Sequence, residues 1–215
     1  MTEPGHLITF EGGEGAGKST QVQRLATLLA GAGTDVTVTR EPGGTVGAEA
    51  IRDLLLNGPP ERWLPLTETL LLLAARVDHV ERRIRPALAA GQWVLCDRFG
   101  DSTRVYQGIA GSVGLERIDK LQTEAIGDVT PDLTLILDLP VGTGLARRGR
   151  TADANRFEHM GEAFHQRVRD GFLKLAADDP MRYMVIDAAK DAHTVAREIR
   201  VAVERRFGLD LGASG

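Results

Sequence analysis

One stretch of the chain combines glycines, a lysine and a serine at a spacing that suits phosphate binding. Residues 10–20 read FEGGEGAGKST and contain the pattern GxxxxGKS. Backbone N–H groups of such a loop, and the positive end of the helix that follows, attract phosphate. Lys18 adds a point charge on the outer phosphates, and Ser19 offers Mg²⁺ a hydroxyl ligand. The residues predicted to bind a nucleotide triphosphate are Gly12, Gly13, Glu14, Gly15, Ala16, Gly17, Lys18, Ser19 and Thr20.

Charged residues that could take part in phosphate chemistry occur in two further places, directly after the apolar run Trp93–Cys96 and in an arginine-rich segment near residue 150. Asp97 comes directly after Trp93–Cys96, where a carboxylate can hold a magnesium-bound water beside Ser19. Arg98 can bind a second phosphate opposite the loop. Residues 147–156 contain several arginines and no apolar anchor, so residues 147–157 are predicted to form a lid that closes over the phosphates and excludes water. These features predict phosphoryl transfer to an acceptor that is itself a phosphate. The predicted catalytic residues are Lys18, Asp97, Arg98, Arg148 and Arg150.

Two further features point to a ligand at the same edge of the molecule. The turn REPGGT at residues 40–45 ends a predicted strand and carries Glu41 and Pro42 to the crevice where parallel sheets bind ligands. Arg76 lies in an apolar helical run, and a buried arginine needs a partner. Asp78 or Glu68 is the simplest structural partner, whereas we favour contact with a ligand. His79 and Asp101 are expected to be caps or surface groups.

Short apolar runs alternate with helical patterns along the whole chain. This order predicts an α/β fold with a five-stranded parallel sheet flanked by helices, in a single domain spanning residues 1–215. Strands are expected near residues 7–10, 36–39, 93–96, 133–138 and 183–187, and helices at 46–56, 115–126, 141–147, 157–177 and 191–207. A long helix at 66–88 should be broken or bent at Pro86. Its apolar part should be buried on more than one side, by the sheet and by a second subunit, and residues 209–215 should fray.

Composition excludes several classes of partner. The 215 residues carry 26 Lys and Arg against 30 Asp and Glu, a net charge of -4, so nothing draws the chain to nucleic acid or an anionic membrane. The longest apolar run, Leu70–Ala75, is too short to span a bilayer. A lone cysteine, Cys96, forms no intrachain disulfide and should be a buried filler. Without a signal-peptide pattern, the chain is expected to be cytoplasmic.

Motifs along residues 6–208 resemble those of the bacterial thymidylate kinase family. They are FEG with the phosphate loop, TREPGGT at 39–45, AAR at 74–76, DR at 97–98 with ST at 102–103 and YQG at 106–108, PDLT at 131–134, and RFE at 156–158. The resemblance implies a P-loop nucleoside monophosphate kinase fold with a short lid. It also implies the reaction ATP + dTMP → ADP + dTDP with Mg²⁺, in a homodimer packed through helices.

The resemblance assigns roles to individual side chains. Arg98 and Arg52 would meet the dTMP phosphate, while Arg76 and Thr103 would read the polar edge of thymine. Tyr106 would occupy the space of a ribose 2′-hydroxyl and so favour deoxyribose. The remaining implied contacts are Gln107 with the monophosphate, Glu14 with the acceptor sugar and metal-bound water, Glu158 with the metal, and Glu41, Pro42 and Leu72 with dTMP.

Two positions at which this chain differs from many members of the family affect the expected selectivity and catalysis. Many relatives carry an aromatic residue four positions before the helix arginine, where this chain has Leu72. Lys18 is the single cation of residues 11–20, so the lid must supply the catalytic arginine, for which we favour Arg150. Another P-loop nucleoside monophosphate or small-molecule kinase is the nearest alternative. A GTP-dependent switch is remote, since the guanine-reading NKxD pattern is missing.

Overall fold

A parallel β-sheet forms the centre of the protein. The structure, a computed structural model, describes residues 5–148 and 156–212, without the side chains of residues 60, 148, 158 and 159. Within this part of the chain the sheet has five strands in the order β2-β3-β1-β4-β5, all parallel. The strands are β1 Leu7–Glu11, β2 Val36–Arg40, β3 Trp93–Asp97, β4 Leu133–Asp138 and β5 Tyr183–Asp187. The predicted fold class is confirmed.

Helices cover both faces of this sheet. The α-helices are α1 Lys18–Gly31, α2 Val46–Leu56, α3 Pro65–His79, α4 Arg85–Ala89, α5 Gly100–Thr103, α6 Leu115–Ile126, α7 Val141–Arg148, α8 Glu162–Asp178 and α9 Ala192–Phe207. Wider π-helical turns occupy Val80–Ile84 and Arg104–Ile109, and short 3₁₀ turns occupy Pro60–Arg62 and Arg156–His159. Among the described helices, none has the length and apolar character needed to cross a membrane.

Alternation along the strands creates two apolar layers. Leu7 packs with Val94 and Cys96 on one face, whereas Ile8 packs with helix residues such as Leu25 on the other. Side chains of a strand point alternately to its two faces, so both layers are filled from one strand. Cys96 is fully buried, which confirms its predicted role as a filler.

The register of the sheet places three strand ends side by side. Phe10 pairs with Asp97 on one side of β3, and Arg40 pairs with Asp97 on the other. The phosphate loop leaves β1 one residue after this level. The sheet therefore brings the loop, the Arg40–Thr45 turn and Asp97 to one edge, as expected for a ligand crevice.

The helix predicted at 66–88 is interrupted next to Pro86, as expected. It is divided into α3, a π turn and α4, because Pro86 lacks the N–H that would bond to the carbonyl of Arg82. One predicted boundary is wrong. The helix predicted from Phe157 begins at Glu162, after a 3₁₀ turn and an extended Gly161. Residues 100–103 form a short helix that follows β3, Arg98 and Phe99.

One prediction about burial fails, and another depends on a second subunit. Leu70 is 49% exposed in the single chain, so burial of this side of α3 by a second subunit stays a prediction. Residues 209–212 are packed, where fraying was expected. Leu209 and Leu211 contact the main apolar cluster, and both backbone N–H groups donate to Glu204. Residues 213–215 lie outside the described part.

Candidate active site

The phosphate loop has the open interior that an anion needs. Gly15 has a φ of 69°, and a Cβ there would lie 2.2 Å from the carbonyl oxygen of Gly144. A Cβ at Gly13 would meet no protein atom within 4 Å, so this part of the loop borders free space. The loop ends at Gly17, the residue that precedes the first turn of α1. This geometry fits a phosphate held by backbone N–H groups at a helix N-terminus.

Lys18 lies within this loop. Its Nζ donates to the carbonyl oxygens of Gly12, at 3.2 Å, and Gly13, at 2.8 Å. Burial lowers the pKa of Lys18 to about 8, and the nearby guanidinium of Arg98 adds to the effect. A bound phosphate would favour the charged amine, so the loop and the lysine are suited to the same ligand.

Ser19 and Asp97 form a hydroxyl–carboxylate pair beside the loop. Ser19 Oγ donates a 2.5 Å hydrogen bond to Asp97 Oδ2. Among the described residues, no group of three or more His, Cys, Asp and Glu side chains could by itself hold a metal ion. Mg²⁺ usually takes one or two carboxylates together with waters and substrate phosphates, so this sparse donor set fits Mg²⁺ bound with a nucleotide. The side chain of Glu158, also predicted for the metal, is outside the described residues.

Arg98 connects the phosphate loop to the neighbouring cavity. Its Nη1 donates to the carbonyl oxygen of Gly12 and to Ser102 Oγ, both at 3.1 Å. Its Nη2 donates to Glu14 Oε1 at 2.8 Å and to Tyr106 at 3.2 Å. Burial alone would lower the pKa of Arg98, but the surrounding acidic groups raise it above its ordinary value, so the guanidinium stays charged.

Arg76 is held by contacts on all sides. It is 2% exposed, and its Nε donates to Glu41 Oε2 at 2.7 Å. The other guanidinium nitrogens donate to Gln122 Oε1, the Phe99 carbonyl oxygen and Thr103 Oγ1, at 2.9–3.1 Å. The partners suggested by the sequence, Asp78 and Glu68, are therefore wrong: Asp78 accepts from Thr45 and Arg82, and Glu68 from Gln107 and Arg156.

His79 and Asp101 are buried, where caps or surface groups were expected. The ring of His79 lies between Thr39 Oγ1, at 2.6 Å, and Glu41 Oε1, at 3.0 Å. Arg76 and His79 together outweigh burial and hold the pKa of Glu41 below its ordinary value. Asp101 accepts from the Tyr183 hydroxyl at 2.7 Å and also pairs with two arginines.

All ten residues predicted to bind the acceptor line one cavity of about 100 Å³. They are Glu14, Glu41, Pro42, Arg52, Leu72, Arg76, Arg98, Thr103, Tyr106 and Gln107. Arg52 Nη1 donates to the Pro42 carbonyl oxygen at 2.7 Å, and Gln107 Nε2 donates to Glu68. A larger cavity of about 400 Å³ lies on the other side of Phe99, and no phosphate-loop residue lines it.

Comparison with known proteins identifies the family. A sequence model described as Thymidylate kinase matches residues 10–199. This chain belongs to the thymidylate kinase family. It is 55% identical to the thymidylate kinase of Caulobacter vibrioides over 97% of this chain and 100% of that protein. The thymidylate kinase of Afipia carboxidovorans is 53% identical, with 97% of this chain and 93% of the relative covered.

A solved structure agrees with the sequence relatives. The crystal structure of thymidylate kinase from Ehrlichia chaffeensis superposes with a TM-score of 0.76 at 35% identity, covering 93% of this chain and 100% of that one. The resemblance predicted from the motifs is confirmed. Another P-loop kinase family and a GTP-dependent switch are not favoured.

The thymidylate kinase cavity is also lined by four residues that were not predicted to belong to the site. Leu56, Phe99, Ser102 and Phe157 complete its lining. Phe99 and Phe157 supply the aromatic surface that Leu72 lacks. Each of these two phenylalanines directly follows an arginine of a recognised motif, and this position is the sequence feature from which a place in the site could have been predicted. Arg156, which is only 4% exposed, donates to Glu68 and the Leu55 carbonyl oxygen, and these contacts were not predicted.

Of the arginines at positions 147, 148 and 150, the structure describes the side chain of Arg147. Arg147 donates to the carbonyl oxygens of Ala188 and Ala189 after β5, at 2.9 and 3.3 Å. Arg150 and the side chain of Arg148 lie outside the described residues. The choice of Arg150 as the catalytic arginine therefore remains a prediction.

Proposed function

We propose that this chain transfers the γ-phosphoryl group of ATP to dTMP, giving dTDP and ADP, with Mg²⁺ bound. The observation that carries the proposal is the position of Arg98. Its Nη1 donates to the carbonyl oxygen of Gly12 in the phosphate loop, and its Nη2 donates to Glu14 and Tyr106 in the cavity. A group in this place can hold an acceptor phosphate against the end of a triphosphate, as phosphoryl transfer requires.

The donor half consists of the loop with Lys18, Ser19 and Asp97. Loop N–H groups and Lys18 bind the triphosphate, and the Ser19–Asp97 pair would hold Mg²⁺ directly or through water. When bound, Mg²⁺ neutralises charge that develops on the phosphate oxygens. In the proposal, Glu158 contributes to the same metal site.

The acceptor half is the cavity between the loop and α3. Arg98 and Arg52 bind the dTMP phosphate, and Arg76 and Thr103 bind the thymine edge. The four hydrogen bonds of Arg76 occupy most of its five donors, so its orientation is fixed before a ligand arrives. The ring of Tyr106 stands where a 2′-hydroxyl would fit.

Other acceptor contacts complete the proposed site. Glu14 faces the acceptor sugar and metal-bound water, and Gln107 approaches the monophosphate. Glu41, Pro42 and Leu72 form the wall around the base. Lid residues Arg148 and Arg150 supply positive charge to the transferring phosphoryl group, and the closed lid excludes water.

The proposal extends to organisation and setting. The chain acts as a single domain in a cytoplasmic homodimer. Support for the dimer comes from Leu54 on α2 and Leu70 on α3, large apolar side chains that are 42% and 49% exposed.

A coupled assay for ADP release tests the proposed reaction. ADP should form when ATP, dTMP and Mg²⁺ are all present, and release should fall to background without dTMP or after chelation of Mg²⁺. ADP release that is independent of dTMP would contradict phosphoryl transfer to this acceptor.

A further inference from the structure

Glu11 is a buried carboxylate that has no role in the reaction described above. It is the last residue of β1 and is fully buried. Burying a carboxylate is costly unless hydrogen bonds satisfy it. Its Oε1 accepts from the backbone N–H groups of Phe99, at 2.8 Å, and Ser102, at 3.1 Å, while its Oε2 accepts from Ser102 Oγ at 2.6 Å.

These bonds fix the backbone around Arg98. Arg98 has a φ of 68°, the one positive value among the described residues other than glycine. Such a conformation is unfavourable for a residue with a side chain and persists only when its surroundings enforce it. The N–H of Arg98 donates to the Phe10 carbonyl at 2.9 Å, and the next N–H donates to Glu11. Two consecutive residues of β1 thus hold the turn in place.

Ser102 extends the same control to the guanidinium. Its hydroxyl donates to Glu11 Oε2 and accepts from Arg98 Nη1 at 3.1 Å. Glu11 does not line the acceptor cavity. From outside the cavity, Glu11 therefore contacts the backbone next to Arg98 directly and the guanidinium of Arg98 through Ser102.

We propose that Glu11 is a positioning residue that holds Arg98 in the geometry for binding the acceptor phosphate. The proposal rests on the proposed function, in which Arg98 meets the dTMP phosphate. Simple electrostatics predicts the opposite effect, since removal of a nearby negative charge would favour anion binding at Arg98. Weaker dTMP binding after neutralisation of Glu11 must then arise from lost positioning.

The test is a double-mutant cycle measured at pH 8, where Glu11 is ionised, as the dissociation constant for dTMP by titration calorimetry. Glu11→Gln keeps an oxygen for the backbone donors, but its NH₂ group cannot accept from Ser102. This change should weaken dTMP binding about tenfold when Arg98 is present, the usual effect of losing a hydrogen bond in a charged network. In an Arg98→Ala background the same change should alter binding by less than about twofold.

Thr9→Val is the matched control, because Thr9 is buried on the same strand and its hydroxyl bonds to Thr134 Oγ1 across the sheet, at 2.9 Å. It should leave dTMP binding unchanged within about twofold. Equal weakening by Glu11→Gln in both backgrounds, or none when Arg98 is present, would overturn the proposal.

Ser102→Ala keeps the proposal testable if Glu11→Gln does not fold. It removes the hydroxyl that connects Glu11 Oε2 to the guanidinium but keeps the backbone N–H bonds to Glu11, and should weaken binding about threefold only when Arg98 is present. A loss that is the same without Arg98, or no loss at all, counts against the proposal. Wild-type protein that fails to bind dTMP would remove the proposed function and this proposal with it. Normal wild-type binding with unaffected variants would remove only the positioning role.

Discussion

Arg76 Nε and Glu41 Oε2 lie 2.7 Å apart, and both side chains are at least 96% buried. Removing one partner of a buried ion pair leaves the other charge uncompensated. Glu41→Gln should therefore lower the free energy of unfolding by about 3 kcal/mol. It should also raise the KM for dTMP about tenfold, because Arg76 loses its orientation.

Chemical denaturation and steady-state kinetics at several dTMP concentrations check both effects of Glu41→Gln. Arg40 provides the matched control, since its ion pair with Glu49 is exposed. Arg40→Gln should change stability by less than about 1 kcal/mol. Unchanged KM for dTMP in Glu41→Gln would show that Arg76 is not oriented by Glu41.

An aromatic side chain at position 72 should improve binding of the base. Leu72 lines the acceptor cavity together with Phe99 and Phe157. Stacking is worth ~0.5–1.5 kcal/mol, so Leu72→Phe should lower the KM for dTMP about threefold. Leu70→Phe, on the exposed side of the same helix, should leave KM unchanged. An unaltered KM in Leu72→Phe would place the base elsewhere.

The lid arginine should affect the chemical step. Arg150→Ala is expected to reduce kcat at least about tenfold, since a guanidinium stabilises charge in the transition state. Arg148→Ala, measured in parallel, should have the smaller effect. Wild-type kcat in Arg150→Ala would exclude this residue from catalysis, and a larger loss in Arg148→Ala would transfer the role to Arg148.

Glu11 should make stability depend on pH. Burial, reinforced by the nearby charge of Asp101 and opposed by Arg98, raises the pKa of Glu11 from 4.5 to about 7. The folded protein therefore binds more protons than the unfolded chain between these values, and stability falls as pH rises through this range. The full penalty, about 3 kcal/mol at ~1.4 kcal/mol per pKa unit, is present above pH 7.

Comparison with Glu11→Gln isolates this contribution, because the amide does not titrate. Unfolding free energies at pH 5 and pH 8 should show that wild type loses more stability than the variant as pH rises. Parallel pH dependence in the two proteins would mean that Glu11 is ionised throughout.

Local sequence patterns were sufficient to predict the sheet and the phosphate loop, whereas most residues around the cavity were predicted from the resemblance to the thymidylate kinase family. GxxxxGKS and the residues after β3 are contiguous, and their roles follow from the strands that end there. Glu41 and Arg76 are 35 positions apart, so their pairing depends on how α3 packs against the turn after β2. His79 could not be assigned for the same reason.

Backbone features around Arg98 were also beyond prediction. Its positive φ is accompanied by hydrogen bonds to Phe10 and Glu11 of β1, and a π turn occupies Arg104–Ile109. Neither the positive φ of Arg98 nor the π turn is marked in the sequence by a hydrophobic periodicity or by a characteristic turn residue. Phe157 was recognised within the RFE motif. That it lines the same cavity as Leu72 depends on how the 3₁₀ turn at Arg156–His159 packs, which the motif does not indicate.

The most direct test of the central claim is a comparison of acceptors. Phosphoryl transfer from ATP should be measured as kcat/KM for dTMP, dUMP, dCMP and AMP under identical conditions. The account predicts the highest value for dTMP, with the wall formed by Leu72 and Arg76 favouring thymine. A higher kcat/KM for any of the other three acceptors would contradict it.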